Sequence, residues 1–426
     1  MRKILLILLV FVGTLTAAIA QENHSESTQP DHDEHLTAEA HEGDEHGCEC
    51  HVHKGDDFEP ATTAFHHISD ANVFHVAGDL YVPLPCILYA PAEGLSVFMA
   101  SKFDIGEHGT GEKAYKRYVL FDGAVMRVPD EKFPAGEVEI DCINHKTVKV
   151  DGEEKDQYEV VYNGECYKLD KKTTWDAGML GGGVTSFYDF SITKNVFTMI
   201  VTFILLFILF RAVVSGYQKR QGQAPKGVQS FMEPIFTFIR DEVAIPFLGH
   251  KYEKYLPFLM SIFFFILGLN LIGQIPIFPG SGNVTGNLAV TAALALFTFF
   301  VTNLSGNKHY WEHTLWMPGV PAIIKILILT PVEILGLFLR PLTLMLRLFA
   351  NITAGHVVVI IFVGLIFIFG DSGRSLGGGI VGTLMAVPLT LFMLAIELLV
   401  AFIQAFVFCI LSASYISAAI EEPHHH

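Results

Sequence analysis

The hydrophobic positions of this chain form long runs in its second half and short alternating stretches in its first. Residues 196–210 are apolar apart from two threonines, and 256–275 and 287–304 are further membrane-length runs. Two longer apolar segments follow, 323–369 and 380–420. Since roughly 20 helical residues cross a bilayer, helices twice that long must tilt, break or cross twice. The pattern favours about five transmembrane helices, the last two forming a long, strongly tilted hairpin.

A segment of different character separates the first two runs. Phe231–Leu248 mixes Met, Ile and Phe with charged residues and prolines. This composition is typical of an amphipathic segment that lies in the membrane interface.

The stretch before these runs has the periodicity of β-structure. Residues 137–143, 147–150 and 158–162 alternate in polarity or are β-branched, and Asp-Gly and Asn-Gly turns separate them. The predicted fold class is therefore an all-α polytopic membrane protein with a small β-rich domain.

The N-terminus has the features of a secretory signal, with Arg2-Lys3, an apolar core and the small residues Ala18-Ile19-Ala20. A retained first transmembrane helix is the alternative. The expected domains are a signal peptide at 1–20, a disordered segment rich in His and acidic residues at 21–57, a mixed, β-rich periplasmic region at 58–190, a membrane domain at 191–420 and a C-terminal tail at 421–426.

Charge sets the expected orientation. Lys219, Arg220 and Lys226 follow the first run at once, which places that loop in the cytoplasm by the positive-inside rule. The mature N-terminus is then periplasmic and the C-terminus cytoplasmic, in a multi-pass protein of a bacterial inner membrane.

The net charge of -16 comes from the part before residue 190. Such acidity argues against nucleic-acid binding, which needs basic surface.

The exported part contains candidate metal ligands. Cys48, Cys50, His51 and His53 offer thiolate and imidazole groups to a soft or borderline divalent metal. A solvated, disordered tail with incidental metal affinity is the alternative. A second group, His66, His67 and His75, suits either a metal or the start of a surface helix.

The cysteines allow disulfides in an oxidising compartment. Cys142 and Cys166 lie in neighbouring strand-like stretches and could pair, although the sequence leaves the connectivity open. Cys409 lies in an apolar run and is expected to be inert packing.

An arginine within the apolar run 323–369 is the strongest functional signal. Arg347 keeps its charge in any protein environment, and a central membrane position costs about 2.5–3.5 kcal/mol on insertion scales. No carboxylate lies within four residues of it, so the simplest inference is a carboxylate on another chain. Asn351, one turn later, is about 40° away around the helix and could hydrogen-bond a passing group.

Heptad spacing groups the other polar residues. Glu333 and Arg340 precede Arg347 at seven-residue intervals and share its face, where an interfacial pair is the alternative reading. In the last segment Glu397 and Gln404 are also seven apart and are expected to confront Arg347.

His356 forms a second expected site. It follows Arg347 by nine residues, about half a revolution around a continuous helix. His with Glu is a natural combination for passing protons near neutral pH, and a packed core histidine is the alternative.

At these residues the chain resembles subunit a, the stator channel of F-type ATP synthase. The motif is Arg347-Leu-Phe-Ala-Asn351-Ile-Thr-Ala-Gly355, with Gln404-Ala-Phe and Tyr415 downstream. Upstream, 270–276 and 285–291 also fit. The resemblance covers residues 190–422, and an insertion at about 106–180 departs from the family pattern.

The resemblance implies a non-catalytic subunit without a cofactor that couples proton flow to rotation. Arg347 would engage each carboxylate of the c-ring between two half-channels, with Gln404 nearby. His356 and Glu397 would lie on the periplasmic access path, and Glu333 and Asn287 would be secondary polar channel positions. The implied partners are the c-ring, the subunit b peripheral stalk, the remaining ATP synthase subunits, the lipid bilayer and H⁺, with Na⁺ left open.

A divalent-metal transporter fed by the His-rich segment is the alternative function. It requires clustered ligands within the membrane. The apolar runs instead offer one histidine and separated carboxylates.

Overall fold

Two compact units make up the part of the chain that the structure, a computed structural model, describes. The described residues are 50, 69–77, 80–106, 109–150, 153–174, 183–275, 282–315, 322–370 and 375–421. One unit includes Ser69–Asn195 and the other Val196–His426. The expected signal peptide at 1–20, the His-rich segment apart from Cys50, and His66 and His67 lie outside the described residues.

The first unit is built from short antiparallel strands. They are β1 Val73–Ala77, β2 Leu80–Pro83, β3 Pro85–Ala90, β4 Gly94–Met99, β5 Lys113–Tyr115, β6 Tyr118–Phe121, β7 Ala124–Arg127, β8 Glu137–Glu139, β9 Cys142–Val150, β10 Glu153–Tyr162, β11 Glu165–Leu169 and β12 Tyr188–Asp189. The strand orders are β1-β2, β12-β3-β4, β7-β6-β5-β8 and β11-β10-β9. The β-rich region is confirmed.

Tight turns connect several of these strands. Asn163 and Gly164, between β10 and β11, have φ of 53° and 77°. Two successive positive φ angles in a two-residue connection match the right-handed twist of a hairpin, which explains the Asn-Gly pair. Two apolar clusters fill the unit, one around Phe103, Tyr118 and Phe187 and the other around Phe133.

The cysteine pairing differs from the expected one. Cys142 is bonded to Cys50, with Cα atoms 5.9 Å apart, and not to Cys166, which is itself disulfide-bonded. The bridge joins residues 92 positions apart. The prediction that Cys142 pairs with Cys166, which was based on their positions in neighbouring strands, is therefore wrong. The partner of Cys142 lies in the His-rich segment.

Two other side chains of this unit, His75 and Cys86, have well-defined surroundings. His75 lies in strand β1, with its ring 4.9 Å from that of Tyr81, and not at a helix start. Cys86 is a free thiol in the core, where burial and then the Asp189 carboxylate raise its pKa to about 12. Such a thiol is not reactive.

The second unit is helical. Its helices are α1 Lys194–Lys219, α2 Val228–Phe238, α3 Tyr252–Gly273, α4 Leu288–Ser305, α5 Lys308–Leu315, α6 Thr330–Phe369 and α7 Leu376–Ile420. A π-helical turn at Ile239–Ala244 and a short helix at Ile245–Leu248 lead from α2 towards α3. Among the described residues, five helical stretches are long and apolar enough to cross a membrane, as expected.

Helices α6 and α7 pack as an antiparallel hairpin through small residues. An ideal Cβ at Gly355 would lie 3.4 Å from Glu397, and one at Gly370 would lie 3.4 Å from Gly379. An ideal Cβ at Gly382 would lie 3.0 Å from Ile366. Small residues allow such close helix contacts in membranes. At 40 and 45 residues the helices are about 60 and 68 Å long, so each exceeds a hydrocarbon layer of about 30 Å.

Disulfide mapping tests the β-rich unit. Non-reducing digestion of the full chain should yield a peptide linked through Cys50 and Cys142, and Cys50→Ser should make Cys142 open to alkylation. Cys86 should remain unlabelled until the protein is denatured, because its thiol is buried. Recovery of a Cys142–Cys166 peptide as the main product would contradict the pairing.

Candidate functional site: two faces of helix α6

Arg347 lies on an exposed face of α6. Leu339, Leu342 and Leu346 on this side are 45%, 44% and 46% exposed, and Arg347 and Asn351 are also exposed. Within the part of the chain that the structure describes, Arg347 has no ion pair or hydrogen bond. The guanidinium therefore projects from an apolar surface without a counter-ion from these residues.

The opposite side of α6 packs inside the bundle. Pro341, Leu344, Leu348 and Ile352 are buried. The helix is continuous from Thr330 to Phe369 despite Pro341 and Gly355. With 3.6 residues per turn, the nine residues from Arg347 to His356 then amount to about half a revolution. The sequence spacing therefore correctly predicted that Arg347 and His356 lie on two sides of one helix.

His356 faces Glu397 of α7. Nδ1 of His356 is 3.5 Å from Oε1 of Glu397, and their side chains are 18% and 3% exposed. That separation qualifies as an ion-pair contact. However, Oε1 is buried and accepts no hydrogen bond from the described residues. A carboxylate oxygen in this position is a strong acceptor for a proton or a water molecule.

Gly355 provides the space for this carboxyl group. An ideal Cβ at residue 355 would lie 3.4 Å from Oε1 and 3.5 Å from Cδ of Glu397. These are van der Waals contacts, so Glu397 packs directly on the glycine backbone. The position of the carboxyl group thus depends on a small residue at 355.

The expected confrontation of Glu397 and Gln404 with Arg347 is wrong for Glu397, which contacts His356 on the other side of α6. Gln404 shares the buried face of α7 and is 8% exposed. Two contacts fix the register of the hairpin: Gly355 lies beside Glu397, and Arg340 lies beside Tyr415. In an antiparallel pair with this register, Gln404 is close to the level of Arg347. Arg347 itself points outward.

Arg340 has a different environment from Arg347. Its guanidinium carbon is 5.6 Å from the centroid of the Tyr415 ring, a cation–π distance. Both residues border a cavity of about 10 Å³, which also touches Thr298, Thr302 and Asn303. That volume holds about one water molecule. Glu333, two turns before Arg340, is half-buried and forms no ion pair with it.

Asn287 has a structural role at the start of α4. Its side chain accepts a hydrogen bond from the Ala289 backbone N–H at 2.9 Å, so it is the N-cap. It is 9% exposed. Its side-chain oxygen therefore accepts a hydrogen bond at a helix terminus. This bond reduces the capacity of the side chain to line a channel.

Sequence reasoning did not select Asn270 and Thr285 as site residues. Thr285 donates to Oδ1 of Asn270 at 2.7 Å, and Nδ2 of Asn270 donates to the Ala401 carbonyl at 3.4 Å. Ala401 lies one turn after Glu397, so this buried polar pair borders the carboxyl site. Polar side chains inside membrane-length apolar runs were the signal that could have identified them.

The structure corrects the candidate metal site. Cys50 is in a disulfide, so its sulfur cannot serve as a thiolate ligand in this state. Cys48, His51 and His53 lie outside the described residues. Among the residues described, no group of three or more His, Cys, Asp and Glu is placed to hold a metal ion.

Family models match both units. The model described as ATP synthase A chain matches residues 196–417, which include both faces of α6. A model described only as a domain of unknown function matches residues 63–180. The extra β-rich region is therefore a recognised domain without an assigned role.

Similar proteins agree with the first match. ATP synthase subunit a of Chloroherpeton thalassium is 41% identical over 248 residues, covering 56% of this chain and 69% of the relative. ATP synthase subunit a 2 of Chlorobaculum tepidum is 40% identical over 242 residues, covering 54% and 64%. Subunit a of Anaeromyxobacter dehalogenans is 37% identical over 276 residues, covering 62% and 68%. With its two-faced helix α6 inside the matched region, the chain belongs to the ATP synthase A chain family.

Proposed function

We propose that this chain is the proton-translocating stator subunit of the membrane sector of an F-type ATP synthase. One observation carries the proposal. Arg347 has no ion-pair partner among the described residues and lies on an exposed apolar face of α6, while the His356–Glu397 contact lies on the other side of the same helix. The relatives named ATP synthase subunit a support this role.

Arg347 acts at the contact with the rotating c-ring. A permanent cation on an apolar surface attracts a carboxylate, because low polarity strengthens the interaction between opposite charges. Each ring carboxylate that reaches Arg347 is held ionised and gives up its proton before it passes. Since the arginine never loses its charge, it also prevents protons from crossing directly between the two sides.

His356 and Glu397 form part of one half-channel. Both groups bind and release protons, and the unsatisfied Oε1 of Glu397 offers an acceptor beside the imidazole. His356 lies nine residues beyond Arg347 along the helix, a rise of about 13 Å. A proton taken up here is thus displaced along α6 from the arginine.

The cavity beside Arg340 and Tyr415 suits the other half-channel. It lies on the opposite side of Arg347 along α6, at a rise of about 10 Å. Thr298, Thr302 and Asn303 are among the residues that line it, and the buried Thr302 hydroxyl has no hydrogen-bond partner among the described residues, so it can bind a water molecule. Polar groups before and after the arginine match two offset access paths.

The stator role is that of a non-catalytic subunit within a larger complex. The c-ring covers the exposed face of α6, and the peripheral stalk with the other subunits completes the stator. The β-rich unit is periplasmic and the C-terminus cytoplasmic in the bacterial inner membrane, with H⁺ as the transported ion. Metal transport gains no support from the described residues, since none of their groups is placed as a metal site.

Arg347→Ala tests the central claim. ATP-driven proton uptake by inverted membrane vesicles should fall at least about tenfold, because ring carboxylates lose their cationic partner. The passive leak through membranes stripped of the catalytic sector should rise. Fluorescence quenching of a pH-sensitive dye measures both quantities.

Arg211→Ala is the control. It removes the same charge from another apolar helix, α1, where Arg211 is exposed with its guanidinium 6.0 Å from the centroid of the Phe207 ring and has no part in the proposed proton path. We expect it to retain most of the pumping, with immunoblots showing equal assembly. Normal pumping by Arg347→Ala would refute the proposed function.

The His356–Glu397 pair is tested by exchange. Glu397→Gln removes a proton carrier while keeping the side-chain size, so pumping should fall about tenfold or more. The double variant His356→Glu with Glu397→His restores one imidazole and one carboxyl group at the same site. Its pumping should exceed that of either single variant. A double variant no better than the singles would show that the residues act separately.

Gly355 is tested by the size of its side chain. Gly355→Ala adds a methyl group at van der Waals distance from Glu397 and should be tolerated. Gly355→Val adds atoms that must displace the carboxyl group, and pumping should fall several-fold. Gly336 on the same helix has open space around its Cβ position, so Gly336→Val is the control. Equal losses in both valine variants would mean that helix packing, not Glu397, is responsible.

A further inference from the structure

The edge strand β4 presents its apolar residues outward. Leu95, Val97 and Met99 are 64%, 62% and 43% exposed, whereas Ser96 between them is buried at 5%. An antiparallel sheet with one solvated face normally turns its polar residues outward. On β4 this arrangement is reversed.

The neighbouring strand continues the same surface. The register pairs Leu95 with Tyr89, Val97 with Ile87 and Met99 with Pro85. Directly opposite residues of an antiparallel pair lie on one side of the sheet. The residues at 86, 88 and 90 fill the other side and are fully buried. Both faces of this part of the sheet are therefore apolar.

The third strand extends beyond its formal end. Tyr188 pairs with Tyr89, and the pairing continues as the Phe190 N–H donates to the Ile87 carbonyl at 2.8 Å. The Ile192 N–H donates to the Pro85 carbonyl at 3.1 Å. Residues 188–192 thus run along β3 as one extended segment.

Polarity is reversed on this segment too. Asp189, Ser191 and Thr193 are 7%, 5% and 6% exposed, whereas Phe190 is 47% exposed. Ser191 is hydrogen-bonded inside, since its N–H donates to Asp189 and its hydroxyl accepts from the Ile87 N–H. We define the outer face as the odd-numbered residues of 85–89 and 95–99 with the even-numbered residues of 188–192. Every residue of the outer face is apolar or aromatic.

The outer face leads directly into a membrane-spanning helix. Helix α1 begins at Lys194, two residues after Ile192, and is long and apolar enough to cross a membrane. Its first residues are fixed to the same unit, because the Lys194 N–H donates to the Ala71 carbonyl and the Asn195 N–H to Asp70. The strand and the helix start are therefore held together.

Chain length keeps this surface near the bilayer. Lys194 follows Asp189 by five positions in the sequence, which span at most about 18 Å when the chain is fully extended. A sheet attached so closely to a spanning helix lies within reach of the lipid surface. Tyr and Trp rings are enriched at that depth, and the outer face carries Tyr89 and Tyr188, with ring centroids 6.3 Å apart.

We propose that the outer face rests on the lipid bilayer, in the headgroup region of the leaflet where α1 begins. The occupant is lipid because the apolar surface continues along the same strand into a membrane helix. The absence of charged residues from the outer face fits lipid contact as well. The β-rich unit is then a peripheral membrane domain with a defined docking side.

Spin-label accessibility in the assembled ATP synthase tests the proposal. The complex, with chains carrying Val97→Cys, is reconstituted in vesicles of phosphatidylcholine and phosphatidylglycerol and labelled with a nitroxide without reductant. Lys168→Cys on β11 is the control, since Lys168 is exposed on a different sheet. Collisions with oxygen, which concentrates in lipid, are compared with collisions with a water-soluble nickel chelate.

The label at residue 97 should collide with oxygen several-fold more than with nickel, and the label at 168 should show the reverse. Equal nickel access at both positions would overturn the proposal. Low access to both reagents that persists when detergent replaces lipid would identify a covering subunit instead. Spin–spin broadening that disappears on dilution with unlabelled chains would identify a second copy. None of these readouts depends on proton transport, so this test and that of the proposed function can fail separately.

Discussion

The close contact between α6 and α7 determines which residues of the two helices lie inside the bundle. Glycines at 355, 370 and 382 let the helices approach until side chains of one touch the backbone of the other. Because α6 is continuous, this contact fixes the rotation of the whole helix. His356 must then face Glu397, and Arg347 must face outward. A membrane supplies little hydrophobic force between helices, so packing at small residues is what sets this geometry.

The two sides of α6 face charged groups of opposite sign, a carboxylate on the inside and a guanidinium on the outside. Glu397 lies inside, where a carboxylate is tolerated because a protonatable imidazole is 3.5 Å away. Arg347 cannot be neutralised by proton loss, so its stability in the membrane depends on a partner outside the described residues. A titrating pair and a permanent charge are kept apart by half a turn of one helix. In the proposed function, that separation would let one helix carry a proton-transferring pair on one side and a fixed positive charge on the other.

Much of this site could be predicted from the sequence, because helical periodicity is strict. The nine-residue spacing of Arg347 and His356 already implies opposite sides, and the seven-residue spacing of Glu397 and Gln404 a common one. Spacing does not say which face meets which neighbour, so spacing alone set Glu397 against Arg347, whereas the family resemblance grouped it with His356, which it contacts. The Cys50–Cys142 bond spans 92 residues, and no local pattern encodes such a contact. The capping role of Asn287 was not predicted, because capping and channel-lining use the same amide, and its channel position stays a prediction.

In the β-rich unit, too, the sequence pattern is compatible with a strand but does not predict which side of it is buried. Alternating residues such as those of 95–99 are typical of a strand, but alternation leaves open which side is the interior. The usual assumption buries Leu95, Val97 and Met99, whereas the fold buries Ser96 and exposes all three. The inner face is already filled by the cluster that includes Cys86, Leu88 and Phe187, so it has no room for a second apolar set. Where both sides of a sheet are apolar, the core takes one and the surroundings must accept the other, and here the chain continues directly into a membrane helix.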